Sequence, residues 1–294
     1  MQTVRIQCAD DLEQRNNGCL YIVATPIGNL GDITHRAVEV LKQVDWIAAE
    51  DTRHTKQLLT SLGIKQSLIS LHEHNEQSRT EQLLEKLKQG GSGALVSDAG
   101  TPLINDPGYH LVKRLREEAV SVVPVPGVSA VITALSCAGL PTDRFTYEGF
   151  LPAKKSKRLQ SLERLESEQR TMVFYESPHR LLESIESMKL IFGAQREAVI
   201  GRELTKKFEQ FVSGDFEAIC QYFEQNSDRV RGEFVIMVSG KEVLEQEDGV
   251  ALDTDKMIEV MLQQALPVKQ IAEMVSQLSG QKKKAIYQRV LELK

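Results

Sequence analysis

The chain lacks most of the features that would assign it quickly. Its 294 residues include only four cysteines, Cys8, Cys19, Cys137 and Cys220, none in a Cys-x-x-Cys pair and none beside a histidine-rich tract. That argues against a disulfide framework or a structural zinc, and suits a reducing, cytoplasmic setting. Aromatic residues are 5% and charged residues 26%, an ordinary globular composition. The formal net charge is −5, so the chain is no polycation, and local basic patches must meet any nucleic-acid partner. The N-terminal "MQTVRIQCADDLEQRNNG" has no apolar core of a secretory signal. The most apolar stretch, "AVSVVPVPGVSAVITALSCAGLP", is broken by Pro124, Pro126 and Gly127, and reads as strand, turn and helix rather than a membrane span.

What is present is alternation. After a polar tail at 1–17, "CLYIVAT", "WIAAE", "SLISLH", "GALVSD" and "VSVVPVP" read as strands separated by amphipathic helices. Five such strands imply a mostly parallel sheet with helices on both faces, a first α/β domain over 18–127. A second alternating block, 128–242, carries strands at "FTYEGFLP", "TMVFYES", "EAVIGREL", "KFEQFVSG" and "GEFVIMVSG". An acidic linker, "KEVLEQEDGVALD", leads to a helical region at 254–294 that resembles a helix–turn–helix by spacing. From Pro267 to Lys294 this region has six Lys/Arg, including Lys282, Lys283, Lys284 and Arg289, against two Glu. It is either a packed hairpin with a solvated basic face or a phosphate-contacting arm.

Five clusters stand at predicted strand ends, the edge where open α/β sheets bind ligands. "ATPIGNLGDIT" is glycine-rich but is neither G-x-G-x-x-G nor a P-loop with its lysine. "AAEDTRHT" crowds Glu50, Asp51, Arg53 and His54 into one turn, where Asp51 or Thr52 can also cap a helix. "LHEHNE" brings His72 and His74, without the carboxylate or thiol spacing that a metal site needs. "LVSDAGTPLINDPGYHL" packs Asp98, Gly100, Thr101, Pro102, Asn105, Asp106, Pro107 and Gly108 into one loop, too many special residues for a plain turn. "PVPGVSA" is treated with it. "FYESPHR" and "GRELTKKFEQF" add Glu176, Arg180, Arg202, Glu203 and Lys206.

Taken in order, "LYIVATPIGNLGDIT", "AAEDTRHT", "HEHNE", "LVSDAGTPLINDPGYHLV", "PGVSA", "YEGFLPAKKSKR", "FYESPHR", "RELTKKFE" and "GEFVIMV" closely resemble the ribosomal small-subunit RNA methyltransferase I family, within the wider tetrapyrrole methylases. The resemblance is dense from Leu20 to Gly240 and looser in the helical tail. It implies a homodimer of two α/β domains, with S-adenosylmethionine (SAM) in the cleft between them and a small C-terminal helical region. It implies 2′-O-ribose methylation of a cytidine, position 1402 of 16S rRNA in the small subunit. By the same resemblance Ile27, Ala99, Gly100, Thr101, Ile104, Ser129, Ala130, Tyr175, Leu204, Phe234 and Val235 hold the cofactor, with Thr101 standing where many relatives have aspartate. Asp98, Asn105 and Asp106 then become loop-shaping residues.

A ribose hydroxyl needs a base, and Glu50, Asp51, Glu176 and Glu203 are the carboxylates available at the sheet edge, with Asp51 favoured. Arg53, Arg180, Arg202 and Lys206 would grip flanking phosphates, and His54, His72 and His74 would contact substrate. The run "PAKKSKR" offers Lys154, Lys155, Lys157 and Arg158 as an RNA patch, or else a solvated mobile loop. No metal and no membrane are expected. The competing readings are a methylase of a tetrapyrrole or other small substrate on the same fold, and a non-catalytic RNA-binding assembly factor.

Overall fold

The computed structural model describes residues 18–242, 254–264 and 266–294. The expected tail at 1–17, with Cys8, and all but the first two residues of the expected linker lie outside the described residues. The chain forms two compact units, Met1–Lys241 and Glu242–Lys294.

In the first unit, β1 (Cys19–Val23), α1 (His35–Gln43), β2 (Trp46–Ala49), α2 (Thr52–Ser61), β3 (Ser67–Ser70), α3 (Glu76–Lys88), β4 (Gly93–Val96), α4 (Tyr109–Glu117) and β5 (Ser121–Val125) build one sheet. Its order is β3-β2-β4-β1-β5 and every pairing is parallel. The strands alternate between two apolar layers, which is why they read as near-continuous hydrophobic runs. Leu20, Trp46, Ala48 and Leu95 pack on one face with Leu83, Leu87, Leu111 and Leu115 of α3 and α4. Val23, Ile47, Ala49, Ala94 and Val96 pack on the other with Ala37, Leu41 and Leu59 of α1 and α2.

Next come α5 (Ala130–Ala138), β6 (Phe145–Phe150), α6 (Lys155–Glu163), β7 (Thr171–Glu176), α7 (Leu181–Phe192), β8 (Glu197–Arg202), β9 (Gln210–Asp215), α8 (Phe216–Gln225) and β10 (Phe234–Val238). They build a second sheet in the order β6-β7-β10-β8-β9. Here only β6 and β7 run parallel; β10 is antiparallel to β7 and β8, and β9 to β8. Residues 203–209 join β8 to β9 without a helix, and a short connection can make only an antiparallel pair. Met172, Phe174, Ile200, Phe234 and Ile236 face α7 and α8. Val173, Val199, Val235 and Met237 face α5, and Ile27 from the loop after β1 joins that same layer.

The second unit consists of α9 (Thr254–Gln263), α10 (Val268–Ser279) and α11 (Lys283–Leu293), closed around Ile258, Ile271, Ala272, Val275, Ile286 and Val290. Gly280 ends α10 in the left-handed conformation, giving the tight turn into α11. Two of the expected basic residues are paired internally, Lys283 with Glu273 and Arg289 with Asp255 and Glu292. Among the described residues no helix is long and apolar enough to cross a membrane.

One buried polar contact holds the first sheet's loops in place. Glu76, 5% exposed, accepts hydrogen bonds at Oε1 from the N–H groups of Gly108 and Leu111, both at 3.1 Å. Gly108 is the N-cap of α4 and has no side chain, so a carboxylate from α3 serves as the cap. Glu76→Ala should lower stability by about 2–3 kcal/mol, the loss of charge-assisted bonds to buried donors, and the melting temperature by roughly 4–12 °C. Thermal unfolding checks this, with Glu76→Gln, which keeps an acceptor, falling less.

A candidate ligand cleft at the edge of the first sheet

The loops after β1 and β4 are tied together. Thr25 N–H donates to the Gly100 carbonyl and Gly100 N–H to the Thr25 carbonyl, both at 2.9 Å, and the Thr25 hydroxyl donates to the Ser97 carbonyl. Gly100 lies at φ +79°, a conformation glycine adopts without a Cβ clash. Leu103 and Asn105 follow at +73° and +66°, positions that cost a side-chain-bearing residue free energy. Two contacts offset that cost. The Thr101 hydroxyl donates to the Val128 carbonyl at 2.9 Å, and the Tyr147 hydroxyl donates to Asn105 Oδ1 at 3.0 Å. The loop therefore runs from the first sheet onto the second.

A cleft of about 460 Å³ opens beside it, the size of a small-molecule site. Ile27, Ala99, Gly100, Thr101, Ile104, Ser129, Ala130, Tyr175, Leu204, Phe234 and Val235 all line it. These are the residues that the resemblance assigns to a cofactor, drawn together from loops after the first sheet's strands, the start of α5, and strands and a loop of the second sheet. Ile27, Leu204, Phe234 and Val235 are almost fully buried and make an apolar wall. At the other side α5 begins at Ser129, whose side chain caps none of the first-turn N–H groups. The cleft also takes in Glu50, Asp98, Asn105, Asp106, Phe150, Ser177, Pro178, Gly232 and Glu233.

The polar end is crowded with like charge. Burial, then Asp106, Asp98, Asp51 and Glu73, push the Glu50 carboxyl up to about 7. Burial also raises Asp106 to about 6, with Asp98 adding to it against a hydrogen bond from Ser97. Asp98 has a positioning task as well, because its Oδ1 accepts from the Asp51 N–H at 3.1 Å and so ties the β4 loop to the β2 loop.

The other expected site residues separate by environment. Asp51 lines no part of the cleft. It caps α2 through the Arg53 N–H at 2.8 Å and pairs with the Arg53 guanidinium at 3.1 Å, which holds its carboxyl below the usual range. Glu176 lines the cleft but is 3% exposed and fully engaged. It accepts from the Ser184 hydroxyl at 2.6 Å and the Ser177 N–H at 2.8 Å, and pairs with Arg180 at 2.7 Å. Burial opposes ionisation of Glu203, yet Lys206 at 2.9 Å and the Glu233 N–H keep its carboxyl low, and Lys206 is correspondingly raised. Arg202 donates to the Arg231 carbonyl. His72 is half-buried against Asn75, and His74 stands edge-on to it at 6.1 Å; His54 is exposed.

Arg158 corrects an expectation. It is 1% exposed, and its guanidinium donates to Ser187 Oγ, the Ala153 carbonyl and Glu183. A group enclosed by its own protein cannot reach a phosphate; Arg158 instead pins the start of α6 to α7. Lys154, Lys155 and Lys157, which surround it in sequence, are exposed.

Residues 19–220 match the family of tetrapyrrole (corrin/porphyrin) methylases, which is the class that this fold and cleft define. A uroporphyrin-III C-methyl transferase from Thermus thermophilus, complexed with S-adenyl homocysteine, shares the fold with a TM-score of 0.52 at 17% identity, over 76% of this chain and 97% of its own. Residues 248–294 match the RsmI C-terminal HTH domain. Within that class the chain belongs to the ribosomal RNA small subunit methyltransferase I family. The Escherichia coli O157:H7 member is 51% identical over 94% of this chain and 96% of its own. The Haemophilus influenzae member is 48% identical over 92% and 95%.

The crowded carboxylates make stability depend on pH. Their folded pKa values lie above the ordinary 4.5 for Glu50 and 3.8 for Asp106. Protonation therefore favours the folded state, and that contribution is lost as pH rises through about 6 and about 7. Glu50→Gln should melt higher than the wild-type protein at alkaline pH, with the difference vanishing in acid below the ordinary carboxylate range. A Tm series against pH measures it.

Proposed function

We propose that the protein transfers the methyl group of SAM to the 2′-hydroxyl of a cytidine in small-subunit (16S) rRNA. The observation that carries this is the convergence of the cofactor-assigned residues on one cleft that has Glu50 at its polar end. The names of the relatives support the rRNA substrate.

The cleft fits the cofactor by chemistry. The apolar wall of Ile27, Leu204, Phe234 and Val235 suits an adenosine. Backbone around Ala99–Thr101 and the start of α5 suit the amino-acid end, where the helix dipole favours a carboxylate. Glu50, Asp98 and Asp106 suit a ligand that carries positive charge. Bound there, SAM supplies an activated methyl group and its own neutral leaving group.

The protein's residues align and deprotonate. Holding the ribose hydroxyl in line lowers the entropic part of the barrier. Glu50 takes the hydroxyl proton at a carboxylate oxygen. Its environment sets its affinity for protons close to neutral, where a general base is both ionised and basic. Asp51, engaged in its cap, keeps the turn in shape. Arg180 and Glu176 brace the second-sheet side of the cleft. Lys154, Lys155 and Lys157 draw in the RNA backbone, and a homodimer is part of the same reading.

Purified protein incubated with labelled SAM should label isolated small subunits at one cytidine ribose. Labelling of a porphyrinoid instead would reassign the substrate. Glu50→Gln should cut the single-turnover rate by roughly 10²–10⁴-fold, leave S-adenosylhomocysteine affinity unchanged and remove a rise in rate through about pH 7. Asp51→Asn should stay within a few fold; the reverse pattern returns the base to Asp51. Changing Lys154, Lys155 and Lys157 together to alanine should flatten the salt dependence of subunit binding by about two log units per log unit of salt.

A further inference from the structure

The aromatic ring at the end of β6 is used by nothing described so far. Phe150 is 50% exposed and lines the cleft, although phenylalanine is a residue that folding normally hides. Its position is built. β6 pairs in register with β7 as Tyr147↔Val173, then Gly149↔Phe174 and Phe150↔Tyr175, so one extra residue is taken up between Tyr147 and Gly149. In a regular strand, residues three apart point to opposite faces. The bulge puts Tyr147 and Phe150 on one face, opposite Val173 and Tyr175, which belong to the cleft-side layer. Gly149 stands at φ +66°, and a Cβ there would lie 2.9 Å from Asn105 Oδ1, so the bulge and the strained β4 loop fit against each other.

The ring is also held. Tyr175 meets it edge-on with centroids 5.7 Å apart. The Arg180 guanidinium lies 5.9 Å from its centroid and is itself fixed by Glu176 and the Leu151 carbonyl. Within the next seven residues come the exposed Lys154, Lys155 and Lys157, on a segment pinned by the buried Arg158. An immobilised, solvent-facing aromatic leading into a cationic run is the arrangement that binds unpaired nucleotides, the base stacking and the backbone meeting the cations.

We infer that Phe150 is the stacking platform for an unpaired base of the RNA substrate at the mouth of the cleft. This rests on the rRNA methyltransferase reading above. The ring is separate in kind from the buried wall of Ile27, Leu204, Phe234 and Val235, which is enclosed where Phe150 is open. The platform recognises a base by its π-face, so it selects single-stranded or flipped-out nucleotides and is tolerant of which base is presented.

The test compares wild-type protein with Phe150→Ala, Phe150→Leu and Phe150→Trp, all at a half-exposed position. Small-subunit binding is measured with S-adenosylhomocysteine present, and S-adenosylhomocysteine affinity is measured alone by calorimetry. The alanine and leucine variants should bind subunits about tenfold more weakly or worse, with cofactor-product affinity within twofold of wild type. The tryptophan variant should bind as wild type does. The chain's single tryptophan, Trp46, is buried, so the added indole reports directly, and its fluorescence should be quenched on subunit binding. Loss of S-adenosylhomocysteine affinity in the alanine variant would place the ring on the cofactor and overturn the inference. Unchanged subunit affinity in a protein that methylates subunits would overturn it alone. A wild-type protein that neither binds nor methylates subunits would overturn the methyltransferase reading and this inference together.

Discussion

The reciprocal hydrogen bonds between Thr25 and Gly100 are the constraint on which the cleft depends. They join two loops leaving adjacent parallel strands and fix where the β4 loop starts. From that point every later feature is a consequence of direction. The loop turns through left-handed residues, crosses to Val128 and Tyr147, and carries Asp98 and Asp106 to the place where Glu50 emerges from β2. Backbone bonds suit this task because they do not vary with rotamer or pH. Side chains then add what backbone cannot: a cap on the β2 loop from Asp98, and a docking point on the second sheet from Asn105.

The electrostatics follow from the same geometry. Carboxylates brought together in a half-buried cleft cannot all ionise at once without cost. The other candidate acids escape this crowding: Asp51 and Glu203 lie outside the cleft lining, and Glu176 within it is fully partnered. Asp51 is given an arginine and a helix end; Glu176 is given two hydrogen bonds and Arg180; Glu203 is given Lys206. Among the described residues no ion pair reaches Glu50, and of these four it is the carboxylate whose proton affinity is raised toward neutrality. Four acids that look equivalent along the chain thus differ in environment, three held by hydrogen bonds or cations and Glu50 raised by burial and like charge.

This separation marks the boundary of what could be read from residues alone. The parallel first sheet was legible, because strands buried on both faces are continuous apolar runs and each was punctuated by an amphipathic helix. The residues that the resemblance assigns to a cofactor are gathered by the structure in one cavity. The different surroundings of Glu50 and Asp51 were not legible, since adjacent carboxylates differ only in which one the helix start consumes. Arg158 looked like its basic neighbours because burial of one residue in a charged run leaves no periodic trace when the run opens a helix. The antiparallel pairings of β8, β9 and β10 depend on a connection too short for a helix, and Phe150 faces the cleft only because Gly149 absorbs an extra residue. Such bulges are tertiary fits, and "YEGFLP" alone does not disclose them.

The carboxylate of Glu76 has a wider consequence. It closes the first turn of α4 from 32 and 35 residues earlier in the chain, so the two helices do not hold independently. Whatever opens the start of α3 strips α4 of its cap, and the end of the strained loop at Gly108 is released with it. In hydrogen-exchange terms, the shared cap couples the start of α3 to the first turn of α4 and the end of the cleft loop. The cleft's shape is then guarded by a contact at the first turn of the helix that follows it, supplied by a helix that lines no part of the cleft.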